Sequence, residues 1–409
     1  MKLKDVIECY ISGDWGNEAP TERENIAVSC IRGADIMPIR NYNFSEIPTR
    51  YISAVSLASK GLKEGDIVIE KSGGSPTQST GRVVYVSKEL LQEKQNIVCT
   101  NFCVAIRIKK KWDPYYIYNY LLHVYDLGVF FNYEGKTSGL KNLDTEKAFD
   151  SIPIKDIDII DQKRVSTILS TIDEKVSVNN RIRIRLEQTA REYYDFFINN
   201  TRIQKNNWRE VSLCELIERK ISGDWGNEEI SGAYNFRVSC VRGADMNDLT
   251  QLPTRYIKMK EDILLVDGDI VVEISGGSPT QSTGRSVLIT EEVLDRFNNK
   301  VICSNFCRGL RFKKPLHGYF YYLVFKALYE TGCFFNYEGK TSGLHNLDID
   351  AFLDNRVCVP SDEELTNLSQ EIKSLYSQIS LLDTENLQLM KEREYILPLL
   401  ISGQLSIKE

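Results

Sequence analysis

The chain has 409 residues, of which 42% are apolar and 26% charged, and a formal net charge of -6. That length allows two or three domains with a sizeable core, and the acidic balance excludes a protein that coats nucleic acid by bulk charge alone. No apolar run reaches membrane-spanning length and the opening MKLKDVIECY lacks a signal-peptide core, so the expectation is a cytoplasmic protein whose ten cysteines stay reduced.

In chain order, the first segment, LKDVIECYISGDWGNE (residues 3–18), returns as LCELIERKISGDWGNE (213–228). VSCIRGAD (28–35) returns as VSCVRGAD (238–245), and PTRYI (48–52) at 253–257. GDIVIEKSGGSPTQSTGR (65–82) returns as GDIVVEISGGSPTQSTGR (268–285), and FFNYEGKTSGLKNLD (130–144) as FFNYEGKTSGLHNLD (334–348). A repeat this long is a duplicated domain and not a solenoid. The polar residues match best, so fidelity follows surface chemistry and not core packing. Divergence concentrates in 19–27 against 229–237 and in 36–47 against 246–252. Within a copy, β-branched runs such as DIVIE and RVVYV between Gly, Pro, Ser and Asn turns predict short strands. A helix is predicted at 114–125, with a partner at 319–329. The fold class is mixed α/β.

Each copy is followed by a different pattern. Apolar or pairing positions fall at Val165, Leu169, Ile172, Val176, Leu186, Ala190, Tyr193 and Phe197, interrupted by Asn179 and Arg183. Further on they fall at Leu368, Ile372, Leu375, Ile379, Leu382, Leu389, Ile396 and Leu400, interrupted by Asn386 and Arg393. Alternating steps of three and four predict two coiled-coil helices, each about 60 Å long. SDEE (361–364) is a capping-box start and Gly403 a C-terminal stop. The expectation is an antiparallel helix pair with a globule at each end, related by a pseudo-twofold axis. The predicted domains are a first globule at 1–156, its helix at 157–203, a second globule at 204–360 and its helix at 361–409.

The duplicated globule, the two seam helices and the closing REYILPLLISGQLSI (393–407) resemble the specificity (S) subunit of Type I restriction–modification systems, a phage-defence machinery. The strongest marks are GDWGNE, the SGGSPTQSTGR loop with its copy, and LPLLISGQLSI. The resemblance implies that each globule is a target recognition domain for one half of a split sequence in double-stranded DNA. It implies that the helices act as a ruler and dock two methyltransferase (M) subunits, with restriction/translocase (R) subunits joining. S-adenosylmethionine, ATP and Mg would be bound by those partners, with no cofactor on this chain, in a prokaryotic, nucleoid-associated complex. Near-identical copies imply a bipartite and nearly palindromic target. Two other readings stand beside this one: a related system whose methyltransferase and nuclease are fused in one partner, and a coiled-coil scaffold without DNA function.

Base edges are read by polar side chains on glycine-shaped loops. Gln78, Ser79, Thr80 and Arg82, with Gln281, Ser282, Thr283 and Arg285, are therefore DNA-binding candidates, against an ordinary hairpin loop. Tyr133, Lys136, Thr137 and Ser138, with Tyr337, Lys340, Thr341 and Ser342, offer phosphate, sugar or base contacts. The rival phosphate-binding loop fails because its first glycine would be Phe130 or Phe334. Arg32, Arg50, Arg242 and Arg255 suit phosphate or guanine, against internal ion pairs with Asp35 or Asp245. KKKW (109–112) and RFKKP (311–315) suit backbone contact, against plain solvated surface. Trp15 and Trp225 read as buried packing residues. The seam of the helix pair is assigned to Leu169, Ile172, Val176, Leu186, Ile372, Leu375, Ile379 and Leu389.

Cys30, Cys99 and Cys103 recur as Cys240, Cys303 and Cys307, but no fourth ligand repeats with them, so small buried thiols are expected and no metal. No catalytic residue is assigned. WDPYY (112–116) lacks the second proline of an adenine methyltransferase motif. The nuclease-like DIVIEK loses Lys71 to Ile274 in the copy, and no histidine repeats. The expectation is a reader and not a catalyst.

Overall fold

The computed structural model describes residues 1–75, 77–137, 140–201, 208–278, 280–341 and 344–405, and of residues 136, 137, 140, 200, 201, 261, 340, 341 and 344 the backbone alone. The chain divides into two compact units, 1–180 with 389–409, and 181–388.

In the first unit, the strands β1 (Ile7–Ser12), β8 (Cys103–Ile108), β4 (Ile67–Glu70) and β6 (Val83–Tyr85) form an antiparallel sheet in the order β1-β8-β4-β6. A second sheet, β3-β2-β7, sets β2 (Ile26–Ile31) antiparallel to β3 (Thr49–Ile52) and parallel to β7 (Ile97–Cys99). A third, β5-β10-β9, joins Ser72–Gly73 (β5) to Leu140–Leu143 (β10) and Glu134–Thr137 (β9). Helix α1 (Pro114–Asp126) packs on the first sheet through Tyr116, Ile117, Leu121 and Leu122, all buried. It starts where the sequence places it because Asp113 caps Tyr116 N–H and Pro114 sits at the first turn.

The second unit repeats this plan: β12 (Ile217–Ser222), β19 (Cys307–Phe312), β15 (Ile270–Glu273) and β17 (Ser286–Leu288) in one sheet, then β14-β13-β18 (Thr254–Ile257, Phe236–Val241, Val301–Cys303) and β16-β21-β20 (Ser275–Gly276, Leu344–Leu347, Glu338–Thr341). Helix α3 (Gly318–Glu330) takes the place of α1. A two-stranded ribbon, β11 (Arg209–Ser212) with β22 (Arg356–Val359), ties the unit's ends together; in the first unit a single bridge, Lys2 to Pro153, occupies that position.

The two long helices are α2 (Ile159–Thr201) and α4 (Asp362–Ser402), 43 and 41 residues. Ser361 and Glu364 form the anticipated capping box, and Gly403 follows the helix with φ +75°. In each unit the portions of these helices run antiparallel. In the first unit Val165 and Leu169 share a core with Leu397 and Leu400, and Arg393 reaches Asp173 at 2.7 and 3.1 Å and Asn119 at 2.6 Å. In the second unit Arg183 faces Asp383, and Ala190 joins Ile372, Tyr376 and Ile379 in the core. Of the assigned seam residues, Leu169, Ile372 and Ile379 are buried, whereas Ile172, Val176, Leu186, Leu375 and Leu389 are half-buried. Tyr193 departs from the expected seam: it is exposed, and the neighbouring Tyr194 packs on Phe320 instead. A straight helix drifts relative to a strict seven-residue repeat, so a seam counted along 43 residues slips by one position near its end.

Candidate nucleic-acid interface

The duplicated loop rises from the end of β4. Glu70, 2% exposed, ends that strand, and Arg82 opens the return into β6. The guanidinium donates to both carboxylate oxygens at 2.8 and 2.5 Å, a bidentate pair that pins the two ends of the loop together. This pair holds the Arg82 pKa above its ordinary value. The glycines follow from it. A Cβ at Gly33 would lie 2.7 Å from Glu70 Oε1, and one at Gly73 would lie 2.5 Å from it, so RGAD and SGG are cut to fit a buried carboxylate. In the second unit Arg285 binds Glu273 at 2.9 and 2.7 Å between Gly243 and Gly276. Gly81 (φ +95°) and Gly284 (φ +96°) lie directly over Phe130 and Phe334, where a side chain would collide.

A second carboxylate supports the loop from behind. Glu134 accepts from Thr80 N at 2.6 Å and Thr80 Oγ1 at 2.9 Å; Glu338 accepts from Thr283 at 2.5 and 2.7 Å. Lys141 pairs with Glu134 at 3.1 Å, and His345 takes that place beside Glu338 at 2.7 Å. Burial opposes ionisation of Glu338, but bonds from His345 and Thr283 outweigh it and hold the carboxyl below its ordinary range. Tyr125 and Tyr329 donate to the carbonyls of Ser79 and Ser282 at 3.3 and 3.4 Å.

The candidates that the sequence groups together are therefore sorted by depth. Ser79, Thr80, Ser282 and Thr283 are interior, and Arg82 and Arg285 are engaged by carboxylates. Gln78 and Gln281 have exposed side chains, held on a turn in which the Ser75 and Ser278 hydroxyls accept from the backbone N–H of the glutamine at 3.0 Å. Tyr133 and Tyr337 are half-buried against their cores. Ser138 and Ser342 lie outside the described residues, as do the side chains of Lys136, Thr137, Lys340 and Thr341.

The four repeated arginines are all paired. Arg32 binds Asp35 and Arg242 binds Asp245, each fork partly solvent-facing. Arg50 reaches Glu18 at 2.9 Å and Arg255 reaches Glu228 at 3.1 Å, and each guanidinium lies 3.9 Å over the ring of Trp15 or Trp225. Trp15 is not the buried residue that the sequence suggests: it is 36% exposed, because GDWGN is a tight loop tied to β3 by the Asn17–Tyr51 bridge and not a strand. Of the basic runs, Lys109 donates to Asp5 O, Lys110 and Lys111 are exposed, and Lys314 pairs with Asp362.

The repeated cysteines are buried. Burial pushes the Cys30 thiol up to about 12 and the Cys103 thiol up to about 11. Among the described residues no group of three or more His, Cys, Asp or Glu is placed to hold a metal ion.

Two solvent-facing aromatics escaped the sequence reading: Phe102, 59% exposed, and its copy Phe306, 50% exposed. The available signal was the recurrence of NFC beside the strand ends, read there only for its cysteine.

Residues 1–188 match the family described as the Type I restriction modification DNA specificity domain. No curated protein matches the chain. Over 98% of this chain and 95% of the other, the fold is similar to the crystal structure of a Type I restriction-modification S subunit from M. genitalium, with TM-score 0.57 and 12% identity. The HsdS subunit from Thermoanaerobacter tengcongensis aligns over 99% of this chain and 96% of its own, with TM-score 0.35 and 14% identity. Residues 1–188 thus carry the match to the Type I restriction modification DNA specificity domain, and the chain as a whole has a fold similar to that of a Type I restriction–modification S subunit.

Proposed function

We propose that the protein reads a bipartite, near-palindromic target in double-stranded DNA, one half-site per unit. The observation that carries this reading is the twofold construction of one device: a polar turn presenting Gln78 or Gln281, locked by Glu70–Arg82 or Glu273–Arg285. A rigid loop whose exposed amide offers both a donor and an acceptor suits an adenine edge in the major groove. The recognition domains are residues 1–156 and 204–360, and the helical segments 157–203 and 361–409 serve two methyltransferase subunits, with restriction subunits joining the assembly. S-adenosylmethionine, ATP and Mg belong to those partners, in the cytoplasm of a prokaryote.

The repeated arginines, already paired with carboxylates, contribute to phosphate contact by the outer edges of their forks. With a net charge of -6 the chain alone grips DNA weakly, and tight binding needs the methyltransferase subunits. Fluorescence anisotropy tests this with the chain alone and with the co-expressed methyltransferase. The complex binds the target tightly and specifically, and the chain alone does not. Tight specific binding by the isolated chain at physiological salt contradicts the division of labour.

A further inference from the structure

A cleft of about 510 Å³ opens beside the loop of the first unit, lined by Trp15, Arg32, Ala34, Glu70, Asn101 and Phe102 among others. Its two charged members are already neutralised, Arg32 by Asp35 and Glu70 by Arg82. The cleft therefore has no uncompensated charge to draw a phosphate or an acidic peptide into it, and the solvent-facing outer edge of the Arg32 fork is left for the DNA backbone outside. It offers planar apolar surface: the indole of Trp15, whose ring carries the Arg50 guanidinium at 3.9 Å, and the exposed ring of Phe102. Asn101, also exposed, adds an amide with one donor and one acceptor side. The walls are rigid. Phe102 O accepts from Lys71 N and Ser72 N at 2.8 and 3.1 Å, and Cys99 O accepts from Asp14 N at 2.7 Å.

The second unit assembles the same parts. Arg255 lies on Trp225 at 3.9 Å, Phe306 O accepts from Ile274 N and Ser275 N at 2.9 and 3.2 Å, and Ala244, Asn305 and Phe306 are exposed. Exposed phenylalanines cost solubility without adding to the core, and here Phe102 and Phe306 are fixed in place at the root of the loop that carries Gln78 or Gln281, each beside a tryptophan, of which Trp15 is exposed and Trp225 half-buried against the core of its unit.

We infer that the cleft between Trp15 and Phe102, and the matching place beside Trp225 and Phe306 in the second unit, each receive one nucleobase unstacked from the DNA duplex. The occupant must be neutral, flat and bordered by hydrogen-bonding atoms, which describes a base and not the backbone. The volume lies within the range of small-ligand sites and accommodates a purine. Stacking on an aromatic ring contributes about 1–3 kcal/mol per base, against an unstacking cost of a few kcal/mol that the rest of the interface must share. The inference rests on the DNA-reading function proposed above.

The test uses the chain with its co-expressed methyltransferase and target duplexes carrying 5-iodopyrimidines or 8-bromopurines at one position at a time. After irradiation, mass spectrometry identifies the attached peptide. The expected result is one position per half-site that cross-links to a peptide holding Trp15 or Phe102, or Trp225 or Phe306. Ala34→Trp fills the first cleft from an exposed position without removing either aromatic; it abolishes the cross-links to Trp15 and Phe102 and weakens target binding by about 5- to 150-fold, leaving those of the second unit. Target binding without any cross-link to these aromatics, and unchanged in Ala34→Trp, overturns the inference while sparing the function. Loss of the cross-link to an excess of free dAMP also overturns it, because the cleft would then be a nucleotide site. If the unsubstituted complex binds no specific DNA, both fall together.

Discussion

Removing Arg82 tests whether the duplicated motif is built around a buried ion pair. Glu70 is 2% exposed and Arg82 keeps 17% of its side chain in solvent, so Arg82→Ala strands a carboxylate where water reaches it poorly. Breaking a buried pair from one side costs about 3–5 kcal/mol, and the partial exposure of Arg82 places the expected loss near the lower end, about 3 kcal/mol. The loss is local, because Gly33 and Gly73 close around Glu70 within the first unit. Hydrogen exchange of the full chain, read by peptide mass spectrometry, measures it. Amides of β4 and β6 exchange about 100-fold faster in Arg82→Ala, while those of β15 and β17 do not change. Arg285→Ala gives the mirror image. Replacing both partners, Glu70→Met with Arg82→Met, restores most of the protection, because no unpaired charge remains. A change in Arg82→Ala corresponding to less than about 1 kcal/mol, the range of surface pairs, refutes this reasoning.

Gln78→Ala weakens binding of the complex to one half-site by about 1–3 kcal/mol and Gln281→Ala to the other, measured by anisotropy on targets altered in one half at a time. Arg393→Met removes the counter-ion of Asp173, which keeps a hydrogen bond from the Tyr115 hydroxyl, and destabilises the first unit by about 3 kcal/mol in hydrogen exchange, with Asp173→Asn in the same chain recovering part of the loss. Burial holds the His317 pKa below its ordinary value. Between the unfolded and folded pKa values the unfolded chain takes up more protons, so the stabilisation is complete above the ordinary histidine value and declines as pH falls below it. Thermal unfolding of the second unit at pH 7.5 and 5.5 shows a smaller drop in His317→Gln than in the unsubstituted chain.

The architecture was largely legible in the sequence because it rests on repetition and periodicity. The copies, the helix at 114–125 and the capped start of α4 all depend on local chemistry that is visible in a short window. Depth within the loop was not legible. Gln78, Ser79, Thr80 and Arg82 lie close together and are equally polar, yet only Gln78 turns fully outward, because the partners that draw Arg82 and Thr80 inward lie on β4 (Glu70) and β9 (Glu134), and the Ser79 carbonyl is held by Tyr125. A carboxylate contributed from a distant strand leaves no periodic trace. Trp15 and Phe102 were missed for the opposite reason: large apolar side chains count toward a core, and their exposure follows from tight loops bonded to neighbouring strands.

The central claim is that the two units read alike because they present the same side chains. Methylome sequencing of cells carrying this chain and its methyltransferase tests it most directly. The account predicts a split motif whose two halves are the same or nearly so, with modification lost from targets when either Gln78 or Gln281 is replaced by alanine. Two unrelated half-sites, or modification indifferent to both substitutions, contradict it.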